Sequence, residues 1–143
     1  MLTGSCLCGA IRFHADAPLL FLAHCHCRWC RRAHGAGFVT WTGVAAERVH
    51  LDGALTWYRS SARSERGFCG RCGSTLFFRS SAAPGELHIA AANVDTGLDR
   101  APSAHIFVEQ KAPWITLPDD LPALRGDHPA LAAYTGDPGT PPK

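Results

Sequence analysis

Seven cysteines in 143 residues, gathered in three tight groups, constrain this chain more than any other feature. They stand as Cys6-Leu7-Cys8, Cys25-His26-Cys27-Arg28-Trp29-Cys30 and Cys69-Gly70-Arg71-Cys72. Two thiolates on one tight turn can hold the same tetrahedral ion, with ligand distances of about 2.3 Å. Gly70 and Gly73 let backbone N–H groups turn toward the sulfurs of the last pair and lower the negative charge they carry. The odd count argues against disulfides. So does the start of the chain, Met1-Leu2-Thr3-Gly4-Ser5-Cys6, which carries no basic-then-apolar leader and predicts a cytoplasmic protein with reduced thiols. A redox Cys-x-x-Cys would call for an alternating parallel βαβ pattern, and none is present.

Structural zinc sites are closed by four protein ligands, while catalytic ones keep three and leave a position open. Seven divides as four plus three. The doublets Cys6/Cys8 and Cys69/Cys72 make a closed site, and Cys25, Cys27 and Cys30 make an open one. A second partition is also possible, with Cys6 and Cys8 joining two members of the triplet. Cys69 and Cys72 would then take partners such as His26 or His34.

A chain of this length can bury a core of its own, so metal need not supply all its stability. Fourteen Gly and ten Pro point to many turns between short elements. Short alternating or β-branched and aromatic runs occur at 10–14, 38–42, 55–59, 74–79, 87–91 and 105–108. Helices are expected only after Cys27 and within 129–134. The prediction is a mostly β, mainly antiparallel domain over residues 1–134 with a frayed tail over 135–143, where no apolar side chain anchors the chain. A formal charge of +2 argues against a nucleic-acid partner, and no run of about 18 apolar residues is present to span a membrane.

Arg28, Arg31 and Arg32 flank the triplet, and Arg66 and Arg71 flank the last pair. They balance anionic thiolate clusters or recognise substrate carboxylates, with Arg31 and Arg32 the better candidates for recognition. Trp29 reads as a shield over the metal. His26 lies between two ligands and is expected to point away from their metal. His24 and His34 are candidates to move a proton, since imidazole titrates near neutrality. His88 and His105 read as core histidines in strands, and Trp41, Trp57, Trp114, Phe77 and Phe78 as core.

The motifs Gly4-Ser5-Cys6-Leu7-Cys8-Gly9-Ala10-Ile11-Arg12-Phe13, His24-Cys25-His26-Cys27-Arg28-Trp29-Cys30-Arg31-Arg32 and Arg66-Gly67-Phe68-Cys69-Gly70-Arg71-Cys72-Gly73-Ser74-Thr75-Leu76 resemble the glutathione-dependent formaldehyde-activating enzyme and centromere protein V family. His105-Ile106-Phe107-Val108 before Trp114 extends the likeness, so that it covers about residues 2 to 115. The resemblance implies the Mss4-like fold, a compact β-sandwich with zinc-binding turns. It implies two zinc ions, one structural at Cys6, Cys8, Cys69 and Cys72 and one active at Cys25, Cys27 and Cys30. Asn93-Val94-Asp95 departs from the Gly-containing turn that relatives tend to show there.

An ion held by three thiolates suits a soft incoming sulfur, and a thiol bound as thiolate is nucleophilic. The expected function is a zinc-dependent carbon–sulfur lyase that forms or cleaves the adduct of glutathione, or a related thiol, with formaldehyde or another small aldehyde. The alternative is a non-catalytic zinc module that recruits protein or nucleic acid. The sequence leaves the oligomeric state open.

Overall fold

Strand β2 (Arg12–Ala15) buries Phe13 and Ala15 and exposes Arg12 and His14, the period-two pattern of a sheet with one dry face. It pairs antiparallel with β1 (Leu2–Ser5) and β5 (Val49–Asp52), and β10 (Val94–Thr96) completes a four-stranded sheet in the order β10-β1-β2-β5. The structure is a computed structural model describing residues 1–118 and 120–135. The frayed tail expected over 135–143 lies outside the described residues except for Thr135, whose N–H donates to the Leu131 carbonyl at 3.1 Å.

The larger sheet takes β3 (Phe21–Cys25), β4 (Val39–Ala45), β6 (Leu55–Arg59), β7 (Ser64–Cys69), β8 (Thr75–Ser80), β9 (Glu86–Ala90), β11 (His105–Ile106) and β12 (Ala123–Leu124). Its order is β12-β11-β3-β4-β9-β8-β7-β6. Pairing is antiparallel as expected, except that β11 runs parallel to both β3 and β12.

The two sheets enclose one core, with Leu2, Ile11 and Phe13 facing Val44, Leu76, Phe77 and Ile89. Phe13 meets Phe77 edge-on at 5.2 Å, a pair that adds about 0.5–1.5 kcal/mol beyond area burial. The far face of the larger sheet is covered too, by a second cluster of Cys25, Cys30, Val39, Trp41, Ala90, Phe107 and Leu131. Strand β4 is therefore buried on both sides, and its sequence Val-Thr-Trp-Thr-Gly-Val-Ala loses clean alternation.

The one α-helix among the described residues, α1 (Arg28–His34), follows Cys27 as expected and stops at Gly35, which adopts the left-handed conformation at φ 58°. Its last turn carries Arg31, Arg32 and His34, suited to the negative end of the helix dipole. Three expectations need correction. The helix within 129–134 is a single 3-10 turn, Pro129–Leu131. The strand at 105–108 ends after two residues because Phe107 turns left-handed at φ 56° and leads into the 3-10 turn Val108–Gln110. Trp114 is 71% exposed rather than core. Trp57 packs, half-buried, against the core between the sheets, with the Arg79 guanidinium 4.1 Å from its ring.

Candidate metal centres and active-site cavity

Cys6 and Cys8 lie in the turn after β1, Cys69 ends β7, and Cys72 lies in the turn before β8. The two turns close alike. Gly9 N–H donates to the Cys6 carbonyl at 2.9 Å and Gly73 N–H to the Cys69 carbonyl at 2.8 Å, with both glycines at positive φ. All four sulfurs lie within 4.8 Å of one another, Cys6 to Cys8 at 3.6 Å and Cys8 to Cys69 at 3.9 Å. A tetrahedron with bonds of ~2.3 Å has edges of ~3.8 Å, so these sulfurs fit one zinc-sized ion. Donors face two of the four sulfurs. Ile11 N–H donates to the Cys6 sulfur at 3.2 Å, and the Ser74 hydroxyl, then its N–H, hold the Cys72 thiol down to about 5. Ser74 Oγ also accepts from Leu7 N–H at 3.0 Å and so ties the two turns together.

The second group is local. Cys25 ends β3, Cys27 is the N-cap of α1, and Cys30 sits in the first helical turn, its N–H donating to the Cys27 sulfur at 3.3 Å. Their sulfurs also lie within 4.8 Å of one another. Among the described residues no His, Asp or Glu joins them, so the group supplies three ligands to an ion and leaves a fourth direction open. Cys30 receives Trp41 Nε1–H at 3.4 Å and both terminal nitrogens of Arg66, at 3.7 and 3.8 Å. The neighbouring thiols Cys25 and Cys27 hold Cys30 well below the ordinary thiol range, and Arg66 and Trp41 add to this against the effect of burial.

A cavity of about 810 Å³ opens over this group. Cys25, Cys27 and Cys30 line it, and none of Cys6, Cys8, Cys69 and Cys72 does. Trp29 lies on its wall rather than only covering the sulfurs, and its arginines are Arg28, Arg63 and Arg66. Arg31 and Arg32, expected to meet substrate carboxylates, are not on the lining. Arg31 donates to the Gln110 carbonyl at 2.7 Å and lies over the Trp114 ring. Sequence reasoning placed Arg66 beside Cys69. It lies three residues before Cys69 on a strand, hence on the opposite face, and that parity was the available signal.

His24, His26 and His34 do not line the cavity. His26 is wholly buried, with Nε2 2.9 Å from His105 Nδ1, and burial followed by repulsion from His105 and His24 lowers its pKa to about 4. His24 Nδ1 pairs with the Thr40 hydroxyl at 2.8 Å. His34 packs edge-on against Trp41, its Nε2 is buried without a partner, and burial lowers its pKa to about 4. An unfolded histidine titrates near 6.5. Between pH 6.5 and 4 the unfolded chain therefore takes up a proton at His34 that the folded chain does not. Stability from this residue is complete above pH 6.5 and is lost as pH falls, by as much as about 3 kcal/mol. In urea unfolding with zinc in excess, wild type is expected to lose that much more than His34→Phe across this window. Parallel curves would refute the assignment.

The sequence profile described as "Glutathione-dependent formaldehyde-activating enzyme" matches residues 1–110, which include all seven cysteines. The chain belongs to the glutathione-dependent formaldehyde-activating enzyme family. A relative from Halomonas elongata named "Putative glutathione-dependent formaldehyde-activating enzyme" is 32% identical over 82% of this chain and 81% of its own length. An uncharacterized lyase of Schizosaccharomyces pombe is 36% identical over 52% of this chain and 55% of its own. The crystal structure of a Rhodobacter sphaeroides protein aligns with a TM-score of 0.57 at 23% identity, covering 70% of this chain and 97% of that one, which supports the fold. In this member of the family the match ends at residue 110, while Leu124, Leu131 and Tyr134 beyond it also line the cavity. Among the described residues no helix is long and apolar enough to cross a membrane.

Proposed function

We propose that this chain is a zinc-dependent carbon–sulfur lyase that forms or cleaves the adduct between glutathione, or a related thiol, and formaldehyde or another aldehyde. The observation that carries this reading is the division of the cysteines: four sulfurs gather on one another off the lining of the cavity of about 810 Å³, and three face it. Soft thiolate donors at tetrahedral spacing select zinc over hard cations. Bound by Cys25, Cys27 and Cys30, zinc would supply an electrophilic position at which an incoming thiol is held as the thiolate.

The protein's own groups do the rest. Arg66 and the Trp41 N–H offset the negative charge gathered at Cys30. Arg28 and Arg63 on the lining offer cationic partners to the carboxylates of an anionic thiol such as glutathione. Phe21, Trp41, Phe78 and Phe107 on the lining shield part of the cavity from water, which would otherwise compete for the aldehyde carbon.

Calorimetric titration of the zinc-loaded chain with glutathione, with S-methylglutathione as the blocked control, tests the reading. Binding of the free thiol and not of the thioether is expected. Failure of both to bind would remove glutathione and favour another sulfur compound or a non-catalytic module.

A further inference from the structure

Formaldehyde occupies little more than the space of two waters, ~60 Å³, so in a cavity of about 810 Å³ the wall that meets neither it nor the thiol held at Arg28 and Arg63 is left without a role. The unused part has a definite chemistry. One row of residues crosses the face of the larger sheet that bears Cys25: Phe21 stands opposite Gly43, Gly43 opposite His88, His88 opposite Phe78, and Phe78 opposite Arg66. Gly43 has no side chain to lift the Phe21 ring that lies across it. The rings of Phe21, Phe78 and Tyr134 surround His88 with centroids at 4.9, 5.4 and 5.3 Å. Trp41 carries this wall to the cysteines, with its ring 6.2 Å from Phe78 and its N–H on the Cys30 sulfur.

The polar atoms of Tyr134, His88 and Glu86 are spent on one another. The Tyr134 hydroxyl donates to Glu86 Oε2 at 2.8 Å, and His88 Nε2 lies 3.0 Å from the same oxygen. Burial favours neutral His88 against the pull of Glu86. A carboxylate or ammonium placed here would have to break these bonds, whereas a flat apolar group meets ring faces and edges. Arg66, at the end of the row, turns its guanidinium to Cys30 instead. Leu131 and Tyr134, which close this end, lie beyond the family match at 1–110, while Phe21, Trp41, Phe78 and His88 lie within it.

We propose that, within the lyase reading, the aldehyde served by this chain carries an aryl substituent, which packs among Phe21, Phe78, His88 and Tyr134 while its carbonyl carbon meets the thiol sulfur at the three cysteines. The thiol gives up its proton, its sulfur bonds the carbonyl carbon, and the C=O pair moves to oxygen, which takes a proton. Cleavage is the reverse, and nothing is oxidised or reduced.

The test follows adduct formation and release by NMR exchange on the zinc-loaded full chain, with glutathione and either formaldehyde or phenylacetaldehyde. The expected kcat/KM is roughly tenfold or more higher for phenylacetaldehyde. Phe78→Leu and Tyr134→Ala are each expected to reduce the aryl rate more than the formaldehyde rate, bringing the ratio toward one. Equal rates, or preference for formaldehyde, would overturn the aryl assignment and leave the lyase reading standing. Acceleration of neither aldehyde would remove the lyase reading and this inference with it.

Discussion

Replacing Cys69 by serine is expected to remove one zinc equivalent per chain and to lower the melting temperature by roughly 15 °C. Cys69 is 2% exposed and belongs to the core between the sheets, where it packs with Cys6, Leu76 and Phe77. Its site joins the N-terminal turn to the β7–β8 turn, two segments more than sixty residues apart in the chain, Cys8 to Cys69 being one such contact. A serine hydroxyl is harder and far less acidic than a thiol, so it replaces the sulfur as ligand poorly. Losing the ion leaves the remaining sulfurs clustered without a cation among them. A structural zinc is worth about 10–16 kcal/mol of apparent binding free energy in small domains. This chain has its own apolar core, so a smaller share, about 4 kcal/mol or more, is at stake. Cys27→Ser, at the half-buried N-cap of α1, is the contrasting variant. It is expected to lose a zinc equivalent with a much smaller change in melting temperature. Metal analysis and calorimetry on both variants decide the matter. Unchanged zinc content in Cys69→Ser, or equal melting shifts in the two, would remove the division into a structural and an open site.

The grouping of the cysteines into four and three was legible in the sequence because cysteines on tight turns announce themselves by spacing, and a seven-residue set divides in few ways. Both groups assemble as the four-plus-three partition required, and the second partition, with His26 or His34 completing a site, does not form. The mostly β architecture was legible for the same kind of reason, with residues 55–59 matching β6 residue for residue. The strands that escaped notice have mixed patterns. Strand β7, Ser-Glu-Arg-Gly-Phe-Cys, buries Ser64, Arg66 and Gly67, a polar run that no hydrophobic pattern would select. Strand β3, Phe-Leu-Ala-His-Cys, is covered on both faces and so shows no alternation. Side-chain partners were the least legible. His26 was expected to point away from the metal, and the sequence held no sign that it would end in the core against His105, a residue far along the chain that β11 brings beside β3 by parallel pairing. The cavity wall from Leu124, Leu131 and Tyr134 was hidden because each residue is an isolated apolar position in a turn-rich segment, given meaning only by the sheet it covers.

Arg66→Met is expected to weaken glutathione binding at neutral pH by roughly ten- to a hundredfold and to move the pH midpoint of thiol binding upward by about one unit or more. Three thiolates around a dication leave one negative charge in excess, and an incoming thiolate adds a second. Cys30 and Arg66 are both buried, so the charge is screened poorly by solvent. Arg66 answers it. The residue is 7% exposed, both of its terminal nitrogens lie within 3.8 Å of the Cys30 sulfur, and its guanidinium rests on the Phe78 ring at 5.1 Å. Methionine keeps most of the packing volume and removes the charge, so the thiol must be ionised against the full repulsion of the cluster. Arg66→Lys restores a point charge without the planar fork that stacks on Phe78 and reaches the sulfur with two nitrogens, and is expected to recover binding in part. Calorimetric Kd values between pH 6 and 9 on the zinc-loaded variants give both the affinity and the midpoint. A residue that only filled space would lower the melting temperature and leave the midpoint in place. A midpoint unchanged in Arg66→Met therefore rejects the electrostatic role, whereas an upward shift partly reversed by lysine means that this buried charge sets the ionisation of the thiol at the open site.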